Sequence, residues 1–357
     1  MSLKNGSSIG SKGLLKFSIF MRKLWLSLFL ICVLHITASC SEDSVVAGLP
    51  PFIIPEDSIE RETIEDDSVV VPNRTVNIDS MSISLFADNS YKNQSAAVYG
   101  DYMFLVTKGR GRIYIYNLKE KSLVYTIKLP ASSEYDYLGS DLYHSNQATF
   151  GIDFYAHDDP FPLLYISQRA RSDLRCFVEV FRIVPLLNES GDGYKSIDAQ
   201  LVQTIYFPAM TQDNSLGNVN CVIDSEKQLM YTYSRNNNKE EGNYGECKVS
   251  CFNIPPLGQN FVYLEDRDIL SSFMLGCSAV NMQGGCIKDG VLYIGQGYKS
   301  VGYIYLNVVD LNNNSLLGRI DLLNQGVEWE PEGCFYYHGK VMIAADNNIW
   351  EISNIFD

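Results

Sequence analysis

Short stretches rich in Tyr, Ile, Val and Phe, divided by turn residues, recur along this chain in sets starting near residues 94, 147, 220, 283 and 332. This recurrence restricts the fold more than any other feature. From residue 79 to the end no long amphipathic stretch of helical period interrupts it, so the body reads as all-β. The clearest set opens at Gln283. Gly284-Gly285-Cys286-Ile287 leads into the hairpin turn Lys288-Asp289-Gly290, and Val291-Leu292-Tyr293-Ile294-Gly295 follows as a buried strand. Gly302 to Asp310 is a third strand, Asn312-Asn313-Asn314 turns the chain, and Leu316 to Asp321 is a fourth. Four antiparallel strands in that span make one blade of a β-propeller.

The other sets run from Ser95 to Pro130, Asn146 to Phe207, Asn220 to Leu275 and Glu332 to Ile352. The last lacks an outer strand, while Val76 to Phe86 alternates and has no partner at the other end of the body. Pairing the two closes the ring and covers an exposed edge. The starts are 53, 73, 63 and 49 residues apart, which predicts five blades. Six is the alternative, and it requires two blades within the 73-residue interval.

Composition bears on partners and location. The chain carries 28 basic and 42 acidic residues, net −14. Five of the basic residues (Lys4, Lys12, Lys16, Arg22, Lys23) lie within 1–39, where there are no acids. So acidic a remainder does not suit nucleic acid, which needs a basic face to meet phosphates. Within 1–39, Met21-Arg22-Lys23 precedes an apolar stretch from Leu24 to Ile36 that is too short to span a bilayer. Thr37-Ala38-Ser39-Cys40 follows, giving the pattern of a secretory signal, with Met21 as the expected true start. From residue 40 to 78 the chain holds Pro50, Pro51, Pro55 and Pro72 among many acids and reads as an extended stalk. The propeller domain is expected over 79–357.

Three resemblances add to this reading. The small residues ending in Cys40 resemble a bacterial lipoprotein cleavage box, which implies a lipid on Cys40, although Thr37 stands where Leu is usual. Ser41-Glu42-Asp43 resembles the export tag of surface lipoproteins in Bacteroides-like bacteria, and Asp-Ser-apolar triplets such as Asp57-Ser58-Ile59 resemble the O-glycosylation sites of that group. The run from His144 to Gly151, Phe161 to Ser167, Gln283-Gly284-Gly285 and Glu330-Pro331-Glu332-Gly333 resemble β-propeller lipoproteins of those bacteria, TolB-like or six-bladed in type. The resemblance implies an outer-membrane lipoprotein exposed at the cell surface. It carries over no activity residue by residue.

A polar residue stands where each inner strand begins: Gln94, Asn146 or Gln147, Asn218 or Asn220, Gln283, and Glu330 or Glu332. Inner strands converge on the axis, so these side chains are expected to ring one mouth of the channel. Amides with one or two carboxylates suit sugar hydroxyls or a hydrated cation; Ca²⁺ in the axial channel is the cation such oxygens favour, and no other cofactor is expected. The competing reading is that they cap strand ends. His144 beside the ring is the best general-base candidate, with Glu330 and Glu332 as candidate catalytic carboxylates. His157 and His338 read as turn residues. Trp329 beside Glu330 either stacks on a sugar ring or packs in the core. Seven cysteines follow Cys40 without any Cys-x-x-Cys; Cys221, Cys286 and Cys334 read as small core fillers, and no disulfide framework is expected.

Three functions remain open from sequence. One is a lipid-anchored surface module binding a glycan, peptide or partner protein. The second is a glycan hydrolase or lyase using Glu330 or Glu332 with His144. The third is a structural subunit of an outer-membrane complex.

Overall fold

Among the described residues of this computed structural model, twenty-one strands form five separate sheets. It describes residues 77–81, 93–107, 111–130, 145–169, 176–187, 194–207, 219–236, 242–345 and 347–355, all within one compact unit, Ile64–Asp357. Blade one is β2 (Asn93–Tyr99), β3 (Tyr102–Thr107), β4 (Arg112–Asn117) and β5 (Ser122–Lys128). Blade two is β6 (Ser145–Phe150), β7 (Leu164–Arg169), β8 (Cys176–Leu187) and β9 (Tyr194–Tyr206). Blade three is β10 (Asn220–Asp224), β11 (Leu229–Arg235), β12 (Glu246–Asn253) and β14 (Ser271–Ser278). Blade four is β15 (Met282–Lys288), β16 (Val291–Tyr298), β17 (Tyr303–Asp310) and β18 (Ser315–Asp321). Blade five is β19 (Gly333–Tyr337), β20 (Lys340–Ala345) and β21 (Asn348–Ser353), completed by β1 (Asn77–Met81).

Five blades are therefore present. The 73-residue interval is filled by one blade because β8 and β9 are 12 and 13 residues long. One strand was not legible in the sequence. β13 (Phe261–Tyr263) leaves blade three between β12 and β14 and lies parallel to β9, adding a fifth strand to blade two. Ring closure follows the expected route: β1 pairs antiparallel with β21, with Ile78 opposite Ile352.

The cores lie between blades, one for each adjacent pair. Phe104 and Ile113 of blade one meet Leu164, Ile166 and Phe181 of blade two. Tyr165 and Val180 meet Cys221 and Met230 of blade three across the next interface. Val249 meets Leu292 and Ile294; Leu306 and Val308 meet Ile343 and Ile352; Phe335 and Met342 meet Met103 and Leu105. A central strand thus buries both faces, Phe104 toward one neighbour and Leu105 toward the other. That is why β3 and β16 read as continuous apolar stretches rather than alternating ones. Each such side chain contributes about 1.5–3 kcal/mol on burial. The β15–β16 hairpin turns at Asp289 and Gly290, both with positive φ (52° and 74°), a turn whose twist matches the strands it joins.

Candidate functional site

Every blade starts at its inner edge, so β2, β6, β10, β15 and β19 run the same way along the axis and their first residues share one end. Bulges shape three of these starts. The β2–β3 register slips between Asn93 and Ser95, extruding Gln94; the β6–β7 register slips between Ser145 and Gln147, extruding Asn146. On β15 the slip falls between Met282 and Gly285 and involves Gln283 and Gly284. A bulge leaves one residue outside the ladder and re-aims its side chain. β10 pairs regularly from Asn220, and Glu332 stands just before β19, its N–H bonded to Glu330 O at 2.9 Å.

The structure brings these residues together in two groups. In the first, the Gln94 amide donates from Nε2 to Asn93 O and to Glu332 Oε1, each at 3.0 Å, although 238 residues separate Gln94 from Glu332. Gln94 and Glu332 are both buried. In the second, Gln147 crosses from blade two to blade four. Its Nε2 donates to Gly285 O at 2.7 Å and to Ala148 O at 2.9 Å, and its Oε1 accepts from Gly285 N at 2.7 Å. The Tyr233 hydroxyl, from blade three, donates to Gln283 O at 2.5 Å. Burial pushes the Tyr233 phenol well above its usual range and keeps it a donor.

This corrects one expectation. Gln147 is fully buried and both its amide hydrogens are used within the protein, so it is a strut across the axis and not a ligand contact. The other polar residues at the inner-strand starts, Asn93, Gln94, Ser95, Asn146, Asn220, Gln283 and Glu332, form a rim at this end. Within it Asn93 Nδ2, Gln94 Oε1, Ser95 Oγ and Asn220 Oδ1 are buried without a hydrogen-bond partner. Each such atom costs about 1–3 kcal/mol. Asn146 is buried and Gln283 half-buried.

The other sequence candidates divide as follows. Trp329 is 56% exposed, so of its two readings core packing is overturned. Glu330 is half-buried. His144, Asn218 and Cys40 lie outside the described residues. His157 is exposed; so is His338, whose Nε2 lies 3.4 Å from Asp101 Oδ1. For the expected Ca²⁺, no three His, Cys, Asp or Glu side chains among the described residues are gathered to hold an ion. One Glu332 oxygen already takes the Gln94 N–H.

Sequence reading missed two lateral polar chains that brace the mouth. In blade two, Ser145 Oγ donates to Gln168 Oε1 (3.2 Å) and Gln168 Nε2 to Glu179 Oε2 (3.0 Å). In blade four, Asn307 Nδ2 donates to Gln296 Oε1 (3.1 Å) and Arg319 Nε to Asn307 Oδ1 (2.9 Å). A signal was there: Leu164-Tyr165-Ile166-Ser167-Gln168 repeats as Leu292-Tyr293-Ile294-Gly295-Gln296, and the third strand sets Glu179 and Asn307 opposite the two isoleucines.

No protein-family profile matches the chain, and no curated protein matches it by sequence. Among solved structures, the glutaminyl cyclase of Myxococcus xanthus is similar over 78% of this chain and 96% of that one, with 10% identity and a TM-score of 0.44.

Proposed function

We propose that the protein is a surface binding module, held to the outer membrane by a lipid on Cys40, which takes an oxygen-rich ligand such as a glycan on the rim of its propeller. One observation carries this reading. Four polar atoms of Asn93, Gln94, Ser95 and Asn220 are buried without partners at the end of the axis where bulges re-aim Gln94, Asn146 and Gln283. Two of those atoms are amide oxygens and accept from hydroxyls; the Asn93 amide nitrogen donates, and the Ser95 hydroxyl does either. A polyhydroxy ligand offers both halves of each bond. Trp329 is exposed and two residues before Pro331, where it is available to stack on a sugar face.

The test is a glycan array on the wild-type protein followed by calorimetry of any hit with Gln94→Ala and Glu332→Gln. Removing the Gln94 amide should weaken binding at least about tenfold, some 1.4 kcal/mol. Glu332→Gln keeps the shape and should cost less in stability than in affinity. An identified ligand that binds both variants like wild type would refute the site. Recovery of Cys40→Ala in the same membrane fraction as wild type, correctly processed, would refute the anchor.

A further inference from the structure

Two buried thiols from adjacent blades face each other beneath the rim. Cys286 lies on β15 of blade four and Cys334 on β19 of blade five, and their Sγ atoms are 3.3 Å apart. They are 48 residues apart in the chain, and neither stands in a spacing that suggests a pair. The fold creates the meeting. Gly284 lets the two inner strands approach: a Cβ there would lie 2.3 Å from Glu332 O and 2.8 Å from Cys334 N. With no side chain in the way, the strands converge and the next inward positions, Cys286 and Cys334, come into contact.

We propose that Cys286 and Cys334 form an inter-blade disulfide when the chain folds in the presence of a disulfide oxidant, clasping blade five to blade four. A disulfide bond is ~2.05 Å long, so the sulfurs must close by about 1.2 Å, within reach of small χ1 rotations on the two strands. In the balanced exchange, the thiolate of one cysteine attacks a sulfur of the oxidant's disulfide. A mixed disulfide forms and the oxidant's first thiol leaves. The second cysteine, as thiolate, then attacks the protein sulfur of that mixed disulfide and expels the oxidant's second thiol. Two protein S–H groups and one external disulfide become one protein disulfide and two external thiols, the protein giving up two protons and two electrons. In the folded ring, burial pushes the Cys286 thiol up, so it is a poor nucleophile there. Exchange therefore belongs to the folding chain, before blade five seats, and the finished bond is sheltered from reductant. Cys221, Cys247, Cys251 and Cys277 are also buried.

The test uses the full chain, unfolded in reductant and refolded in a buffer of equal oxidised and reduced glutathione. The product is denatured in acid, alkylated and digested without reduction. A peptide containing Cys286 linked to one containing Cys334 is expected as the main cysteine cross-link. Refolding in reductant alone should lower the Tm by roughly 5–10 °C, given a loop of this length and a domain of this size. The double variant Cys286→Ser, Cys334→Ser should show no difference between the two conditions, whereas Cys277→Ser should keep the full shift. Alkylation of both Cys286 and Cys334 as free thiols in the wild-type product would overturn the proposal, as would a cross-link from either to another cysteine. The wild-type digest decides the matter even if a serine variant does not fold.

Discussion

Gln147 and Gly285 hold two non-adjacent blades together across the propeller axis. The side-chain amide of Gln147 closes a ring of hydrogen bonds on the backbone N–H and C=O of Gly285, both at 2.7 Å, as a neighbouring strand would. Gly285 suits the role because a Cβ on it would meet the Tyr233 hydroxyl at 2.8 Å. Gln147→Ala leaves that N–H and C=O buried without a partner and opens a gap on the axis. The expected loss is about 2–4 kcal/mol, read as a lower urea midpoint. Gln147→Glu tests the mechanism with nearly the same shape. Burial raises the folded pKa of the new carboxyl above its unfolded value near 4.3. The protonated acid can donate to Gly285 O where the anion cannot. The stability of Gln147→Glu relative to wild type should therefore be greatest below about pH 4.3 and fall as pH rises through the folded pKa. A difference independent of pH would contradict the strut.

The convergence of the inner strands gives a second prediction. Gly284→Ala sets a methyl against backbone atoms of Glu332 and Cys334, which cannot swing away as a flexible side chain would. The blades must separate, at a cost of about 1–3 kcal/mol or more. Gly242, on the surface with nothing within 4 Å of its Cβ position, is the control. Gly242→Ala should leave the thermal midpoint within a degree or two of wild type, or raise it slightly. Equal effects at the two sites would mean that the inner strands are not close-packed.

How far the sequence foretold this architecture depends on how local each signal is. The five sets of strands were legible because their turns and their Val, Ile, Tyr and Phe content are local. So was closure, since Ile78 and Ile352 belong to two stretches each lacking a partner. β13 was not legible: Phe261–Tyr263 is too short to show a period, and its partner β9 lies in another blade. At the rim, polar residues at the inner-strand starts were visible, but their roles were not. A bulge shifts the side-chain period by one, so Asn146 and Gln147 could not be told apart until pairing assigned one to the bulge and one to the strut. The meeting of Cys286 with Cys334 depends on blade packing, which no spacing along the chain records.

The connection between β6 and β7 should respond to acid. Arg182 of β8 holds Asp159 in that loop through Nε and Nη2, at 2.6–3.1 Å, and Asp159 Oδ2 accepts from Ala156 N at 3.0 Å. The Arg182 hydrogen bonds and, second, the backbone bond hold the Asp159 carboxyl below its usual range against the opposing effect of burial. A lowered folded pKa means that this stabilisation is present above the unfolded value of about 3.9 and is lost as pH falls through the folded pKa. Proteolysis or hydrogen exchange in 151–163 should accelerate below about pH 4 in the wild type. Asp159→Asn should show the faster rate already at neutral pH and little further change in acid. A wild-type rate that stays flat down to pH 2 would rule out the pair as the loop's lock.

Ring closure by β1 supplies the last prediction, which separates the strand from the chain before it. All five residues of β1 pair with β21, from Asn77 opposite Ser353 to Met81 opposite Ile349. Ile78 packs against the core between blades four and five, and Met81 against the core between blades five and one. The strand thus covers the outer edge of β21 and contributes to both interfaces of the closing blade. Its ladder hydrogen bonds and these two partly buried side chains together amount to roughly 3–6 kcal/mol. A chain starting at Val76 retains all of this and should unfold in one cooperative transition at the full-length midpoint. A chain starting at Ser82 loses it and leaves β21 as an unpaired edge, which invites pairing between molecules. Its midpoint should drop by several degrees, and light scattering should rise with protein concentration. A synthetic peptide of residues 76–82 should restore part of the lost stability by occupying the vacated edge. If the Ser82 chain instead melts like the Val76 chain and stays monomeric, β1 does not close the ring.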